Sequence, residues 1–401
     1  MSKIILLGDP HIGKGLAQGK AGIGSALNSR IVDQINLLDW TLDQAIEEHS
    51  DHIIITGDVF EDPKPSPLLI SLFISWLKRC QAYNVNIHII MGNHDLIRSG
   101  NSATSPLDIV SEIDFANVTV YKDLDTIIIG TSAFTIIPFR DRKFFGTSSA
   151  AEALISLKNN LSYELASIPI TYEKFVIGHL AIEGSIPVGD EIDDLTNEIF
   201  CPLDMFSGYE YVWMGHVHKP QVMKKINPYI AHIGSMDISN FGETEHNKHI
   251  IIIDTDCSDK SKIWQSKNLP TRRLNKVNIV VPPNTEDSTE YVLSELKKVK
   301  SFDKSIVKVD VSLSSPDLKS VNKSIVEKYL TSKGAFNVAS ITESKKAVLL
   351  KKDSSKSIDT KMDVVSAIKT YTDTYIEKSS RPAIIELALE IYNTYKAESK
   401  E

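Results

Sequence analysis

Three cysteines, Cys80, Cys201 and Cys257, are scattered over 401 residues and form no CxxC pair. A disulfide framework and a thiolate zinc site are therefore not expected, and a reducing compartment is. Long apolar runs are missing as well. The greasiest stretch, PLLISLFISWLKRC, is too short to span a bilayer. The opening MSKIILLGDPH enters an apolar strand at once, without a signal-peptide layout. These shortages predict a soluble, cytoplasmic chain with no membrane association. Internal repeats are not apparent. What is present is ordinary for a globular protein, with 42% hydrophobic and 24% charged residues and length enough for two or three domains.

A positive excess is also lacking. The net charge of −8 alone argues against nucleic-acid binding, but it is unevenly spread. Residues 1–256 hold 18 Lys+Arg against 33 Asp+Glu, residues 257–361 hold 21 against 12, and the last forty hold 5 against 7. An acidic body followed by a basic segment fits a domain rich in cation ligands joined to an anion-binding module. A lysine-rich solvated surface gives the same count, since the lysines are dispersed.

Short β-branched runs recur through residues 1–255, among them KIILLG, HIIITG, NIHIIMG, KFVIGH, YEYVWMGH and KHIIIID. Helical patterns such as SALNSRIVDQINLLDWTLDQAIEEH and SPLLISLFISWLKRCQAYN separate the early ones. The spacing predicts an α/β domain over 1–262, ending in a polar connector at 255–262. A small lysine-rich α/β unit is expected over 263–352, with strands at 276–281 and 305–313 and helices at 287–299 and 317–332. Residues 353–361 read as a linker and 362–401 as two amphipathic helices, the second carrying Ile384, Ala388, Ile391 and Tyr395 as a stripe.

Five apolar runs each stop at a glycine followed at once by polar residues. The first gives Asp9 and His11, the second Asp58, and the third Asn93, His94 and Asp95. The fourth gives His179, and the fifth His216 and His218. In open α/β sheets, loops leaving the carboxyl ends of parallel strands converge on one crevice. Carboxylates and imidazoles crowded there are costly unless a positive charge lies between them. A single tetrahedral zinc would use about four such ligands. Seven, mixed between oxygen and nitrogen, suffice for two cations sharing one carboxylate, an arrangement suited to in-line displacement at phosphorus. Taken singly, a D-x-H or a GH pair says little; the ordered set of five is the signal.

The pattern GDPH…GDVF…GNHD…GH…GHVH resembles the five-block signature of the calcineurin-like metallophosphoesterases. Within that superfamily the chain most resembles the SbcD-type nuclease subunits of double-strand-break repair complexes, including phage-encoded forms. TGDVFEDPKPS, IGSMDISNFGE and the trailing small domain and helices carry that narrower likeness. The resemblance implies a four-layer αββα sandwich with a smaller α/β capping domain and C-terminal helices. It implies that Asp9, His11 and His218 hold one divalent metal and Asn93, His179 and His216 the other, with Asp58 bridging. Manganese is the expected ion, with magnesium as the alternative. His94 would face the scissile phosphate, and Asp95 would orient its ring.

The same likeness implies a DNA nuclease, 3′-to-5′ on duplex ends and endonucleolytic on single strands or hairpins. It would act with an SMC-like, SbcC-type ATPase docked on residues 362–401, in a bacterial or phage-infected cytosol. A homodimer is implied through the helices after the second and third strands, with Leu69, Leu72, Phe73 and Trp76 as contacts. Burial against the protein's own sheet would explain part of that surface. Arg140, Arg142, Arg272 and Arg273 are the expected DNA contacts. Glu61 stands where many relatives carry a histidine, and reads either as a solvated loop acid or as a catalytic group. The rival readings are a non-catalytic DNA-end scaffold and a phosphatase or small phosphodiester hydrolase of the same fold.

Overall fold

Ile4, Ile5, Leu6 and Leu7 are all completely buried, so the first strand must be covered on both faces. In the computed structural model, which describes residues 2–21, 27–99, 102–188, 198–345, 365, 372 and 381–398, that cover is a second sheet on one side and helices on the other.

The chain runs through β1 (Lys3–Leu7), α1 (Ser29–Glu47), β2 (Ser50–Ile55), α2 (Pro67–Ala82), β3 (Asn86–Ile90), β4 (Ile97–Ser99), β5 (Ser102–Thr104), α3 (Leu107–Glu112) and β6 (Val118–Tyr121). It continues with β7 (Asp125–Ile129), β8 (Ser132–Ile137), α4 (Ala150–Ser167), β9 (Glu173–Gly178), β10 (Ala181–Ile182), β11 (Phe200–Cys201), β12 (Tyr211–Met214), β13 (Gln221–Lys224), β14 (Tyr229–His232), β15 (His249–Asp254) and β16 (Trp264–Asn268). One six-stranded sheet has the order β16-β15-β1-β2-β3-β6, and the other β13-β14-β12-β9-β8-β7. Strands β1, β2, β3 and β6 are mutually parallel, as are β8, β9, β12 and β14.

Alternation along each strand sorts side chains between layers. Ile4, Leu6, Ile54 and Ile90 point inward and meet Phe134, Ile136, Phe175, Ile177 and Trp213 of the second sheet. Ile5, Leu7, Ile53, Ile55, Ile87 and Ile89 point outward onto Leu38 and Leu42 of α1 and Phe73, Trp76 and Leu77 of α2. The far side of the second sheet packs on Leu157 and Leu161 of α4 and on Phe206. Helix, sheet, sheet, helix: the four-layer sandwich is present. Asn28 caps α1 through the Arg30 amide at 2.9 Å, and Ser66 with Pro67 starts α2.

Two expectations change here. Phe73 and Trp76 are fully buried, with Trp76 Nε1 donating to the Leu38 carbonyl at 2.9 Å, so they hold the protein's own core and are not dimer contacts. The composition shift near 262 also falls short of the structural boundary. Trp264–Asn268 forms β16 and pairs with β15, and Leu269 joins the α1–α2 core.

The basic segment forms β17 (Leu274–Val281), α5 (Ser288–Leu296), β18 (Ile306–Leu313), α6 (Lys323–Ser332) and β19 (Asn337–Lys345), with sheet order β17-β18-β19. The helix expected from 317 starts at Lys323, because Asn322 spends its side chain capping the Ile325 amide. By contact density the chain divides into two compact units. One comprises Met1–Ile279, Ser288–Val311 and Ser320–Glu343, and the other Val280–Asp287, Ser312–Lys319 and Ser344–Glu401. The second contains α7 (Arg381–Glu398), on which Ile384 and Leu387 are exposed. The linker expected at 353–361 and nearly all of the first terminal helix lie outside the described residues. Among the described residues no helix is long and apolar enough to cross a membrane.

Candidate metal centre

The carboxyl ends of β1, β2, β3, β9 and β12 deliver the five polar strand ends to one place. The turns there are tight. His11, Asp58 and His216 adopt positive φ angles of 43°, 48° and 77°, a region that costs a non-glycine residue on the order of 1–3 kcal/mol. Glycines make room beside them. A Cβ on Gly57 (φ 121°) would collide with the His179 imidazole, and one on Gly92 with the Asp58 carboxylate.

Asp9, His11, Asp58, His179, His216 and His218 are all buried, and three overlapping groups bring their ligand atoms within 4.8 Å of one another. The groups are Asp9–His11–His218, His11–Asp58–His94 and Asp58–His179–His216. Asp58 joins them: its Oδ2 lies 3.5 Å from His11 Nε2 and 3.2 Å from His179 Nε2. Asn93 Oδ1 sits 2.9 Å from His179 Nε2 and 3.0 Å from His216 Nδ1, completing the second group. All seven expected ligands therefore converge.

His179 Nδ1 donates to the Thr56 carbonyl at 2.8 Å, which leaves Nε2, facing the Asn93 oxygen at 2.9 Å, as the nitrogen that would give up its hydrogen to a cation. Glu198 accepts from His216 Nε2, which leaves Nδ1 facing the same oxygen. His11 Nε2 faces His218 Nε2 at 2.9 Å with the rings 70° apart. Two ligand atoms ~2.1 Å from one octahedral ion at a right angle are about 3 Å apart. Imidazole nitrogens and amide and carboxylate oxygens converging at that spacing are the donor set of divalent cations, and the residues fit the group.

Electrostatics of the metal-free cluster agree. Burial lowers His11 to about 4 and His218 to about 3, so both are neutral near pH 7. Burial also opposes charge on His179, but Asp58 and Asp9 overcome it and raise that imidazole to about 10. Burial opposes charge on Asp58 too, yet His179 and His11 hold it well below the usual carboxylate range. The protein places a proton on His179 where a cation would otherwise answer the carboxylates.

Around the ligands, Thr56 Oγ1 donates to Asp9 Oδ1 at 2.9 Å and the His216 amide to Asp9 Oδ2 at 2.7 Å. Lys248, fully buried, donates to the His218 carbonyl and to Ser235 Oγ, both at 2.8 Å, and pairs with buried Glu243 at 2.5 Å. None of Thr56, Glu198, Glu243 or Lys248 stood out in the sequence. Glu243 ends IGSMDISNFGE, and that motif was the only available hint.

His94 is half-buried, with its ring edge against His11 at 5.0 Å between centroids. Burial opposes its charge, but Asp58 and the Glu61 carbonyl raise its pKa. The role expected for Asp95 is corrected. Its carboxylate accepts the Val59 amide through Oδ1 and the Gly92 amide through Oδ2, each at 3.0 Å. It pins the loop after β3 to the loop after β2, and burial beside Asp58 raises it to about 7. His94 Nδ1 is held instead by the Glu61 carbonyl, 2.7 Å away.

The four arginines are elsewhere. Arg140 is buried, donating to the carbonyls of Phe139 and Lys122 and stacking on Phe144 at 3.8 Å. Arg142 reaches the Ser148 carbonyl at 3.3 Å. Arg272 grips Asp33 at 2.6 and 2.8 Å over the Phe336 ring. Arg273 is exposed and lines two clefts of about 370 and 440 Å³.

Comparison with known proteins places this geometry. Residues 2–220 match the family described as Calcineurin-like phosphoesterase. The chain is 23% identical over 261 residues to the SbcD component of nuclease SbcCD from Escherichia coli (strain K12), covering 60% of this chain and 64%, just under two thirds, of that relative's length. It is 24% identical over 311 residues to the same-named component in Staphylococcus saprophyticus, covering 75% and 76%. It is 23% identical over 296 residues to the DNA double-strand break repair protein Mre11 of Methanocaldococcus jannaschii, covering 72% and 70%. All seven converging side chains fall inside the matched stretch, and the chain belongs to the calcineurin-like phosphoesterase family.

Proposed function

We propose that this protein is a two-metal DNA nuclease, with manganese as its working ion. The observation that carries the reading is the convergence of Asp9, His11 and His218 with Asn93, His179 and His216 about one shared carboxylate, Asp58. Two divalent cations held there would stabilise the attacking and departing oxygens at phosphorus. The mixed oxygen and nitrogen donor set suits manganese, and magnesium is the alternative.

The protein's own groups do the rest. Asp58 joins the two donor sets, so both are positioned by one side chain. Thr56 and the His216 amide fix Asp9, and Asp95 fixes the loop that carries Asn93 and His94. His94 lies beside the ligands, and its Nδ1 proton is fixed on the Glu61 carbonyl. Its role is to neutralise charge on the scissile phosphate and protonate the leaving 3′ oxygen.

The relatives named as a nuclease component and a DNA double-strand break repair protein support DNA as substrate. The proposed reactions, at duplex ends and within single strands or hairpins, and the proposed cytoplasmic action with an SMC-like ATPase are what the sequence resemblance implies. Exposed Ile384 and Leu387, three residues apart on α7, form part of an apolar face suited to such a partner. Self-association would use exposed Leu68 and Ile109 with Leu69 and Leu72. DNA contacts fall to exposed Arg273 ahead of Arg140, Arg142 and Arg272, which are engaged within the protein.

Labelled duplex and hairpin DNA incubated with the purified protein tests the reading. Cleavage with manganese that stops on chelation is the expected result. Hydrolysis of phosphomonoesters without any cut in DNA would instead make the chain a phosphatase, and DNA binding without hydrolysis would make it a scaffold.

A further inference from the structure

Glu61 touches both kinds of histidine in the centre, and does so with two different parts of itself. Its side-chain Oε2 lies 2.8 Å from His11 Nδ1, an ion-pair contact off the line of that N–H, while its main-chain carbonyl accepts from His94 Nδ1 at 2.7 Å. Lys14 donates to both carboxylate oxygens at 3.0 Å, which fixes the plane of the carboxylate and keeps it turned to His11. The Glu61 amide in turn donates to the Ile12 carbonyl at 3.2 Å, and Ile12 bridges Phe60 as isolated parallel β structure. The loop after β2 is thus stitched to the loop after β1 on either side of the contact.

We propose that Glu61 is a positioning residue that sets the tautomers of both imidazoles: His11 through its carboxylate, His94 through its backbone. The proposal rests on the two-metal reading above and deepens it. An ionised carboxylate accepts only, so the hydrogen of His11 is held on Nδ1 and the lone pair on Nε2. Nε2 is the atom facing His218 Nε2 and Asp58 Oδ2. A carboxylate behind a ligating histidine also raises the basicity of the opposite nitrogen and fixes the ring, and losing such a partner costs about 10–100-fold in metal affinity. The carbonyl does the same for His94 without depending on the side chain. A substitution at 61 therefore separates the two effects.

The test is manganese binding to the full-length protein, read by the electron paramagnetic resonance signal of free ion, alongside DNA cleavage across manganese concentrations. Glu61→Ala is expected to weaken one of two binding events by about 10–100-fold. Its cleavage deficit should shrink as manganese rises, because His94 keeps its carbonyl partner. Glu61→Gln, which retains an acceptor oxygen, should fall between Ala and wild type. Lys14→Met should weaken the same binding event less than Glu61→Ala. A Glu61→Ala protein that is folded by circular dichroism and binds manganese as wild type does overturns the role of Glu61. So does a deficit that manganese never relieves. A wild-type chain that takes up no manganese defeats the two-metal reading itself, which is a different result.

Discussion

His11 and His218 face each other through their Nε2 atoms at 2.9 Å, both buried and both neutral near pH 7. Each neutral ring carries one hydrogen: the Glu61 carboxylate draws that of His11 to Nδ1, and His218 can hold its own on Nε2 and donate it to His11 Nε2. A cation held by both Nε2 atoms would replace that hydrogen, and it would bind the folded chain alone. Manganese should therefore raise the unfolding temperature. At a hundred times its dissociation constant the gain is about 2.7 kcal/mol. Calorimetric scans with manganese and with a chelator check this, and coincident transitions would contradict it.

Replacing His94 by alanine should leave metal uptake intact, since Asp58 is held by the His94 backbone amide, which alanine keeps, and reduce DNA cleavage about 10²–10⁴-fold. Metal content and single-turnover rates measured on one preparation separate the two. A variant cutting at the wild-type rate removes His94 from the mechanism.

Acid should destabilise the metal-free protein well above the ordinary carboxylate range. Burial holds His11 and His88 at about 4 and His218 and His232 at about 3, against about 6.5 in an unfolded chain. Between pH 6.5 and 4 the unfolded state binds protons there that the folded state refuses, so stability falls as pH falls. The loss is on the order of 1–2 kcal/mol per imidazole by pH 5. Asp95 and Asp237, raised by burial to about 7 and about 6, offset part of it because the folded state takes up their protons first. His179, raised to about 10, is protonated in both states below pH 6.5 and adds no slope in this window. Its contribution is complete below 6.5 and fades as pH rises toward 10. Unfolding temperatures in chelator from pH 7.5 to 4.5 read the effect, and a flat profile would refute it.

Trp76→Ala should cost about 3–5 kcal/mol in urea unfolding, because a fully buried indole and its bond to the Leu38 carbonyl are lost together. A residue serving only a dimer contact would instead lower association and leave monomer stability unchanged.

The seven candidate ligands were legible because each follows an apolar strand, where a continuous apolar run and a glycine stop mark the strand end. The sandwich was legible for the same reason: runs such as Ile4–Leu7 must be covered on both faces. What escaped notice lies far away in sequence. Glu198 reaches His216, and Lys248 reaches the His218 carbonyl, across 18 and 30 residues that no local periodicity connects. Asp95 shows how adjacency misleads. It follows His94 directly, yet its carboxylate is consumed by the Val59 and Gly92 amides, and the group that holds His94 comes from the next loop. Composition misplaced the boundary at 262 because the edge strand Trp264–Asn268 is half polar, as an edge strand with one solvated face is.

The central claim is that one carboxylate unites two donor sets, and manganese stoichiometry by paramagnetic resonance tests it most directly. The account predicts two ions per chain with the coupled spectrum of a close pair, and loss of that coupling in Asp58→Asn. A single ion, or two uncoupled ions indifferent to position 58, would contradict it.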